Sequence, residues 1–218
     1  MVLCAQSFSG QVLAYSPTYF LVQAGFSTSD AYKMNFGSTG IAFVSICFSW
    51  VLMSYIGRRT LFVSGLSIMT CVLLVLRALS YSHSDNARWA QGGLSLFWLA
   101  LYSSTLGPQS FAIAAEISAT RLRAQTISLA RNAYYIVAIV INVAEPYLIN
   151  PTAANLKGKT ALVWLRPSFL TVVWAIFRLP ETRGRTYEEL DLLFEKRLPA
   201  WKFSSADMVA IRAVEENL

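Results

Sequence analysis

Five polar side chains stand inside long apolar runs of this sequence, where a polar group is costly and usually faces the interior of a helical bundle. They are Gln6, Gln11, Tyr15, Asn132 and Asn142. An amide offers a hydrogen-bond donor beside an acceptor, which matches a ligand hydroxyl group. The same amides can instead hold neighbouring helices together. Both interpretations stay open on the residues alone.

A second group of residues is charged and stands between the apolar runs. Gly57-Arg58-Arg59 follows the second run, Glu116 ends the fourth, and Arg121 and Arg123 precede the fifth. A carboxylate and a guanidinium at one helix boundary can form bidentate hydrogen bonds. Such arginines either anchor the cytoplasmic side of a membrane or pair with acids on neighbouring helix ends.

The sequence lacks a constellation for hydrolytic or metal chemistry at membrane depth. His83 is the single histidine, and Cys4, Cys47 and Cys71 lie in apolar runs without metal-ligand spacing. We therefore expect no enzyme activity, no metal and no cofactor. The net charge is +6, but its Lys and Arg residues are scattered between apolar runs, so we expect no nucleic-acid partner.

The composition predicts an all-α membrane protein. Of the 218 residues, 55% are hydrophobic and 14% are charged, whereas soluble domains carry about 25% charged residues. A transmembrane helix needs about 20 mainly apolar residues. The runs show no sustained alternation of period two, which favours helices over barrel strands. Six runs qualify as spans: 1–24, 35–56, 61–80, 89–115, 127–149 and 161–179.

Four positions within these spans carry special expectations. Pro17 predicts a kink in the first span, and Gly107-Pro108 predicts one in the middle of the fourth. An arginine at mid-bilayer costs at least about 2.5–3.5 kcal/mol, so Arg166-Pro167 indicates either a local break in the sixth span or a sequence that is unusual for a working span. Glu145 is either a proton-linked acid or an interfacial residue, and we favour the interfacial role because snorkelling relieves its cost.

Lys and Arg residues near span ends set the orientation. One side of the membrane receives Arg58, Arg59, Arg121, Arg123, Arg183, Arg185, Lys196 and Arg197, and the other receives Lys33, Arg88, Lys157 and Lys159. The richer side is predicted to be cytoplasmic, which places the C-terminus, and with six spans also the N-terminus, inside.

Three stretches, in this order and at these span ends, resemble the sugar porters of the major facilitator superfamily. They are Gly57-Arg58-Arg59, then Gly107-Pro108 with Glu116, Arg121 and Arg123, then residues 180–190, PETRGRTYEEL. Residues 121–134 and 146–153 are especially similar to fungal maltose and α-glucoside permeases. The resemblance covers about residues 6–202.

This resemblance implies half of a transporter. Residues 1–180 would form the C-terminal six-helix half, residues 181–218 a cytoplasmic tail, and a missing N-terminal half would supply the opposing contacts. The implied function is proton-coupled uptake of an α-glucoside or a hexose by alternating access, in the plasma membrane. The alternative is a truncated member that does not transport, such as a remnant or a sugar sensor.

The resemblance also implies roles for individual residues. It places Gln6 in the family's glutamine-bearing seventh helix and Asn132 in the eleventh, near the usual sugar-contact asparagine. Gln11, Tyr15 and Asn142 are weaker candidates, on their polar character within spans. Phe111 stands where relatives often carry Trp or Tyr and would form an apolar wall. Ser54 replaces the Asp that usually precedes the Gly-Arg-Arg motif. A cytoplasmic gating network that forms in one state of the cycle would comprise Arg58, Arg59, Glu116, Arg121, Arg123, Glu181 and Glu188.

Overall fold

The computed structural model describes residues 1–10, 22, 27–79, 81, 85–118, 120–149, 160–196 and 203. These residues form helices, with no strand among them, which confirms the all-α class. The α-helices are α1 (Val2–Phe8), α2 (Thr28–Tyr55), α3 (Arg58–Leu79), α4 (Asp85–Ser104), α5 (Leu106–Ile117), α6 (Arg123–Ile149), α7 (Thr160–Arg178) and α8 (Tyr187–Glu195). Within this described part, α2, α3 and α6 are long and apolar enough to cross a membrane.

Helix α2 begins seven residues before the predicted second span. The hydroxyl of Ser27 accepts a hydrogen bond from the backbone N–H of Asp30 at 3.2 Å, which satisfies a donor at the helix start. Asp30 also places a negative charge in the first turn, where the helix dipole favours it. Because the helix begins at this cap, residues 28–34, which lie before the predicted second span, are helical.

Helix α1 ends much earlier than predicted. It stops at Phe8, and Gly10 has φ 91°, a left-handed conformation that glycine tolerates at a helix end. The Ser9 hydroxyl donates to the carbonyl of Gln6 at 2.6 Å. The expectation of one continuous helix over residues 1–24 is therefore wrong at Ser9-Gly10. Gln11, Tyr15 and Pro17 lie outside the described residues.

The fourth predicted span consists of two helices. Helix α4 ends at Ser104, Thr105 takes a non-helical conformation (φ −118°, ψ −80°), and α5 begins at Leu106. Proline has no backbone N–H, so Pro108 cannot donate to the carbonyl of Ser104 four residues earlier. The break therefore falls one turn before the predicted Gly107-Pro108 kink.

Helix α7, in contrast, continues unbroken through Arg166-Pro167, which excludes a local break, the first of the two alternatives. Arg166 is exposed, which keeps its charge away from the packed face. Two residues later, Ser168 shares a 2.7 Å hydrogen bond with Thr70 of α3. This tie between buried hydroxyls holds α7 against α3 beside the proline.

Helix α3 supplies the centre of the core. Its fully buried side chains Phe62, Leu66, Met69 and Leu73 recur at helical spacing on one face. This face packs against α4, α5 and α7, whereas α2 packs mainly on α4 and α6 contacts α1 and α5. Because α3 contacts both halves of the broken fourth span, α4 and α5, packing in the core stabilises the conformation at the break.

We predict that Gly65→Ala destabilises the protein, because Gly65 lets α3 approach the break. A Cβ built on Gly65 would lie 2.6 Å from Cβ of Thr105, which is too close for real atoms. Overpacking of this kind costs about 1–3 kcal/mol. The measurement is thermal unfolding of the detergent-solubilised chain.

Gly93→Ala is the matched control, since a Cβ on this α4 glycine meets nothing within 4 Å. It should raise stability by about 0.5–1 kcal/mol through helix propensity. Equal effects of the two substitutions would contradict the packing described here.

Candidate functional site

Arginines cap the predicted cytoplasmic end of α2. The guanidinium of Arg183 donates to the carbonyl oxygens of Tyr55 at 2.6 Å and Ser54 at 3.1 Å. Arg58 donates to the carbonyl of Met53 at 3.4 Å. The last carbonyls of a helix lack partners within it, and a cation there also interacts favourably with the helix dipole.

A further arginine caps α7 in the same way. Nη2 of Arg59 donates to the carbonyl of Ile176 at 2.7 Å, in the last turn of α7. The Gly-Arg-Arg motif therefore joins three helices, because Arg58 and Arg59 start α3 while bonding the ends of α2 and α7.

Two carboxylates complete this cluster. Oε1 of Glu116 lies 3.3 Å from Nε of Arg58, and its other oxygen accepts the hydroxyl of Thr182. The carboxylate of Glu181 lies so close to Gly57 that a Cβ there would overlap it. Glycine at position 57 thus makes room for an acid that follows α7.

The structure gathers some predicted members of the gating network and leaves others apart. Arg58, Arg59, Glu116 and Glu181 lie at the joined helix ends, with Thr182 and Arg183 as additional members that the prediction did not name. One signal could have identified Arg183. It is a basic residue just beyond the end of a helix, from which its side chain can reach the C-terminus of a neighbouring helix.

The remaining predicted members stand apart from that cluster. Arg121 and Glu188 are exposed and make no hydrogen bond or ion pair within the described chain. The guanidinium of Arg123 lies over the ring of Tyr187, 4.1 Å from its centroid. Its Nε and Nη2 atoms are buried without a hydrogen-bond partner. The gating role of the whole set stays a prediction.

Helix α6 shows three faces of different character. One is packed, and Ile141 and Glu145 are its most buried residues. A second is exposed and mainly polar, and we call its polar side chains the polar stripe: Ser128, Arg131, Asn132, Tyr135 and Asn142, with the exposed Ile139 among them. The third is exposed and apolar: Leu129, Ala133, Ile136, Val140, Val143 and Tyr147. The polar stripe follows the helical spacing i, i+3, i+4, i+7 and i+14, so it forms one surface.

Phe111 lies beside this polar stripe. The guanidinium carbon of Arg131 is 5.4 Å from the centroid of the Phe111 ring, which is 44% exposed. The structure therefore brings Phe111 and the neighbourhood of Asn132 to one exposed surface of α5 and α6. Asn142 is ten residues further along α6, about 15 Å away, and its amide donates to the carbonyl of Ala138 at 2.8 Å.

Gln6 lies beneath this surface and not on it. The side chain is 2% exposed, and its Oε1 accepts a 2.8 Å hydrogen bond from the hydroxyl of Tyr102 on α4. Its Nε2 is buried and has no partner. Gln109 on α5 is fully buried, and neither of its amide atoms has a partner. The sequence prediction missed Gln109, although an amide directly after an intramembrane Gly-Pro is a usable signal.

Glu145 is buried against α7, so its carboxylate does not snorkel toward solvent as expected. It is 2% exposed, and its Oε2 accepts a 2.6 Å hydrogen bond from the indole N–H of Trp164 on α7. Its Oε1 is buried without a partner. The spacing explains the placement, because Glu145 follows the buried Ile141 by four residues and therefore shares its packed face.

Comparison with known proteins matches the sequence of this chain to a family. Residues 1–194 match the family model described as "Sugar (and other) transporter". This chain belongs to that family. As a family member with long apolar helices, it is a multi-pass integral membrane protein.

Relatives of the sugar transporter chain are yeast permeases. The general alpha-glucoside permease of Saccharomyces cerevisiae is 34% identical over 92% of this chain and 33% of its own length. Maltose permease MAL31 of the same species is 33% identical over 91% of this chain and 32% of its own length. The chain thus spans about a third of the relatives it matches. Permeases are transporters and not enzymes.

We predict that Arg183→Gln destabilises the helix-end cluster, which is the group formed by Arg58, Arg59, Glu116, Glu181, Thr182 and Arg183. The substitution removes a charged donor to two carbonyls of α2, and hydrogen bonds to charged groups contribute about 1.5–3 kcal/mol. Thermal unfolding in detergent measures the change. Arg121→Gln is the control and should stay within about 0.5 kcal/mol of the original protein. Equal losses from both would contradict the capping role.

A double-mutant cycle tests the pair of Glu145 and Trp164. Trp164→Phe leaves the buried carboxylate of Glu145 without its described partner. The substitution should therefore lower the free energy of unfolding by more than the loss of buried apolar area accounts for. Adding Glu145→Gln to Trp164→Phe should recover part of that loss, since a neutral amide is less costly to bury unpaired. Strictly additive changes in thermal stability would show that the two side chains are not coupled.

Proposed function

We propose that this chain is the C-terminal half of a carbohydrate transporter that works by alternating access. Residues 1–180 form the half-bundle and residues 181–218 the cytoplasmic tail. The substrate is an α-glucoside such as maltose, or a hexose. The observation that carries the proposal is the exposed polar stripe of α6 beside the ring of Phe111.

The polar stripe suits a water-filled pathway better than a lipid surface. Its arginine, asparagines and hydroxyl groups would be costly against hydrocarbon, whereas the neighbouring apolar face of α6 suits lipid. Amides and an aromatic ring on one surface are the groups that bind a sugar, through its hydroxyls and its C–H faces. In transporters built from two halves the substrate lies between them.

The helix-end cluster supports the alternating-access part of the proposal. Side chains of Arg58, Arg59 and Glu116 bond the ends of separate helices, and the carboxylate of Glu181 lies against Gly57 beside them. Contacts of this kind can stabilise one state of a transport cycle and break in the other. The cluster would face the cytoplasm, with the C-terminus inside and the protein in the plasma membrane.

The relatives support the choice of substrate. One is named for α-glucosides and another for maltose, and we extend that substrate class to this chain. Because the chain spans 33% of the first of these, we propose that an N-terminal six-helix half supplies the opposing side of the pathway. We further propose that protons drive uptake.

A second candidate function is that of a family member that binds sugar as a sensor and does not transport it. The exposed polar stripe of α6 would serve binding in either case. The two candidates differ in one measurable property, the movement of labelled sugar across a membrane.

The experiment measures uptake of labelled maltose in yeast cells without α-glucoside permeases. The chain is expressed alone and together with the N-terminal six-helix half of the yeast general alpha-glucoside permease. We expect uptake when both are present, and its loss when the proton gradient is collapsed. No uptake from either combination, with both polypeptides in the plasma membrane, would contradict the transport proposal and favour the second candidate.

We predict that Gln6→Ala and Asn132→Ala each raise the KM for maltose. Loss of one uncharged hydrogen bond of about 0.5–1.5 kcal/mol corresponds to roughly a threefold to tenfold rise. Gln125→Ala, an exposed amide nearer the start of α6, is the control and should leave KM unchanged. Unaltered KM in both Gln6→Ala and Asn132→Ala would remove these residues from the sugar site.

A further inference from the structure

An open-sided apolar groove lies between α1 and α7. It has a volume of about 240 Å³ and is lined by Met1, Phe8, Pro167, Leu170, Thr171 and Trp174. The four α7 residues follow the spacing i, i+3, i+4 and i+7, so they share one face and extend over about 10 Å of the helix axis. The hydroxyl of Thr171 already donates to the carbonyl of Pro167 at 2.7 Å. The groove is therefore an elongated and mainly apolar surface.

Arg166 lies at the end of this groove that is nearer the start of α7. It directly precedes Pro167 and lies four residues before Leu170, a spacing that makes two side chains neighbours on a helix surface. Side chains of a helix tilt toward its N-terminus, so the Arg166 side chain leads from the groove toward the membrane boundary at which α7 begins. It is exposed and makes no hydrogen bond or ion pair within the described chain.

The surface that follows Arg166 on α7 suits lipid. Phe169, Leu170, Val173 and Phe177 are exposed apolar side chains on the next turns. An unpaired guanidinium beside hydrocarbon is costly, and a long side chain relieves that cost by reaching the boundary. Phospholipid headgroups place phosphate there, and the planar guanidinium donates to phosphate in a bidentate manner. Charge complementarity therefore selects a ligand with a phosphate at the boundary and an apolar chain below it.

We propose that Arg166 and the groove form a binding site for one phospholipid. The phosphate accepts hydrogen bonds from the Arg166 guanidinium, and one acyl chain lies along Pro167, Leu170 and Trp174 against α1. The site requires only that the chain is an integral membrane protein, so it is independent of the proposed sugar transport.

The bound lipid stabilises the packing of α1. This helix has only seven residues, and α7 is one of the helices that it contacts. An acyl chain in the groove contacts α1 through Met1 and Phe8 and contacts α7 on the other side. A ligand that binds only the folded state raises its stability. Phospholipid should therefore raise the unfolding temperature of the detergent-solubilised chain.

The test measures lipid binding to the chain purified in detergent, by native mass spectrometry. Phosphatidylglycerol is added in increasing amounts. Diacylglycerol with the same acyl chains is the matched probe without phosphate, and inorganic phosphate is the probe without acyl chains. We expect one phosphatidylglycerol to bind per chain, and to raise the unfolding temperature, at concentrations at which neither other probe binds.

Two substitutions test the two parts of the site. Arg166→Gln removes the charged donor and should raise the Kd for phosphatidylglycerol roughly tenfold or more, because hydrogen bonds between charged groups are strong. Leu170→Trp places a larger side chain in the groove and should likewise weaken binding. Both positions are exposed, so the variants should fold. Arg166→Lys keeps a positive charge that binds phosphate and should lose less affinity than Arg166→Gln.

The matched controls lie on the same helix outside the groove. Arg178→Gln removes an exposed arginine about 18 Å further along α7. Phe169→Trp enlarges the exposed neighbour of Leu170, which does not line the groove. Both variants should keep the Kd of the original chain.

Three results would overturn the inference. An unchanged Kd in both Arg166→Gln and Leu170→Trp would place any bound lipid elsewhere on the chain. Equal binding of diacylglycerol would show that Arg166 does not recognise a phosphate. Binding of inorganic phosphate at the same concentrations would show that Arg166 holds an anion without using the groove.

Discussion

A helix that enters a bilayer must satisfy its polar groups within the protein, because hydrocarbon offers no hydrogen bonds. The contacts of this chain follow from that constraint. Arg183 and Arg58 cap the last carbonyls of α2. A hydroxyl pair, Thr70 and Ser168, joins α3 to α7 within the core. The same constraint explains why the arginine motifs lie at helix ends, where unpaired carbonyls collect.

Some polar groups of the described residues are exceptions to the constraint: those of the polar stripe lie at the site of proposed function, whereas the unpaired atoms of Arg123 and Glu145 do not. The polar stripe of α6 is exposed where a lipid-facing helix would be apolar. Gln109 is buried with an unpaired amide, where a structural residue would be bonded. Both lie on the helices α5 and α6. We propose that a sugar is the partner of the polar stripe.

Much of the fold could be predicted from the sequence, because long apolar runs and proline positions directly constrain helices. The break near Gly107-Pro108 and the cluster at Gly57-Arg58-Arg59 followed from residue types. The end of α1 at Ser9-Gly10 could not be predicted, since a glycine within an apolar run is compatible with either a helix or its end.

The candidate site was predicted less completely, because burial depends on tertiary packing. Glu145 looked interfacial from its position in the run, but its spacing from Ile141 places it on the packed face against Trp164. The prediction did not include Gln109, because a helix kink already explained the neighbouring Gly107 and Pro108. Asn132 was predicted from its residue type and from the family resemblance, and its exposure on the polar stripe makes that prediction testable.

The claim that the polar stripe borders a sugar pathway is tested most directly by the access of water to α6. Cys4, Cys47 and Cys71 are first replaced by serine, and then Asn132→Cys and Ala133→Cys are compared in cells expressing both halves. These neighbouring positions are both exposed, one on the polar stripe and one on the apolar face. A water-soluble thiol reagent should modify Asn132→Cys, more slowly with maltose present, and should spare Ala133→Cys. Equal reactivity at both positions, or none at either, would contradict the pathway.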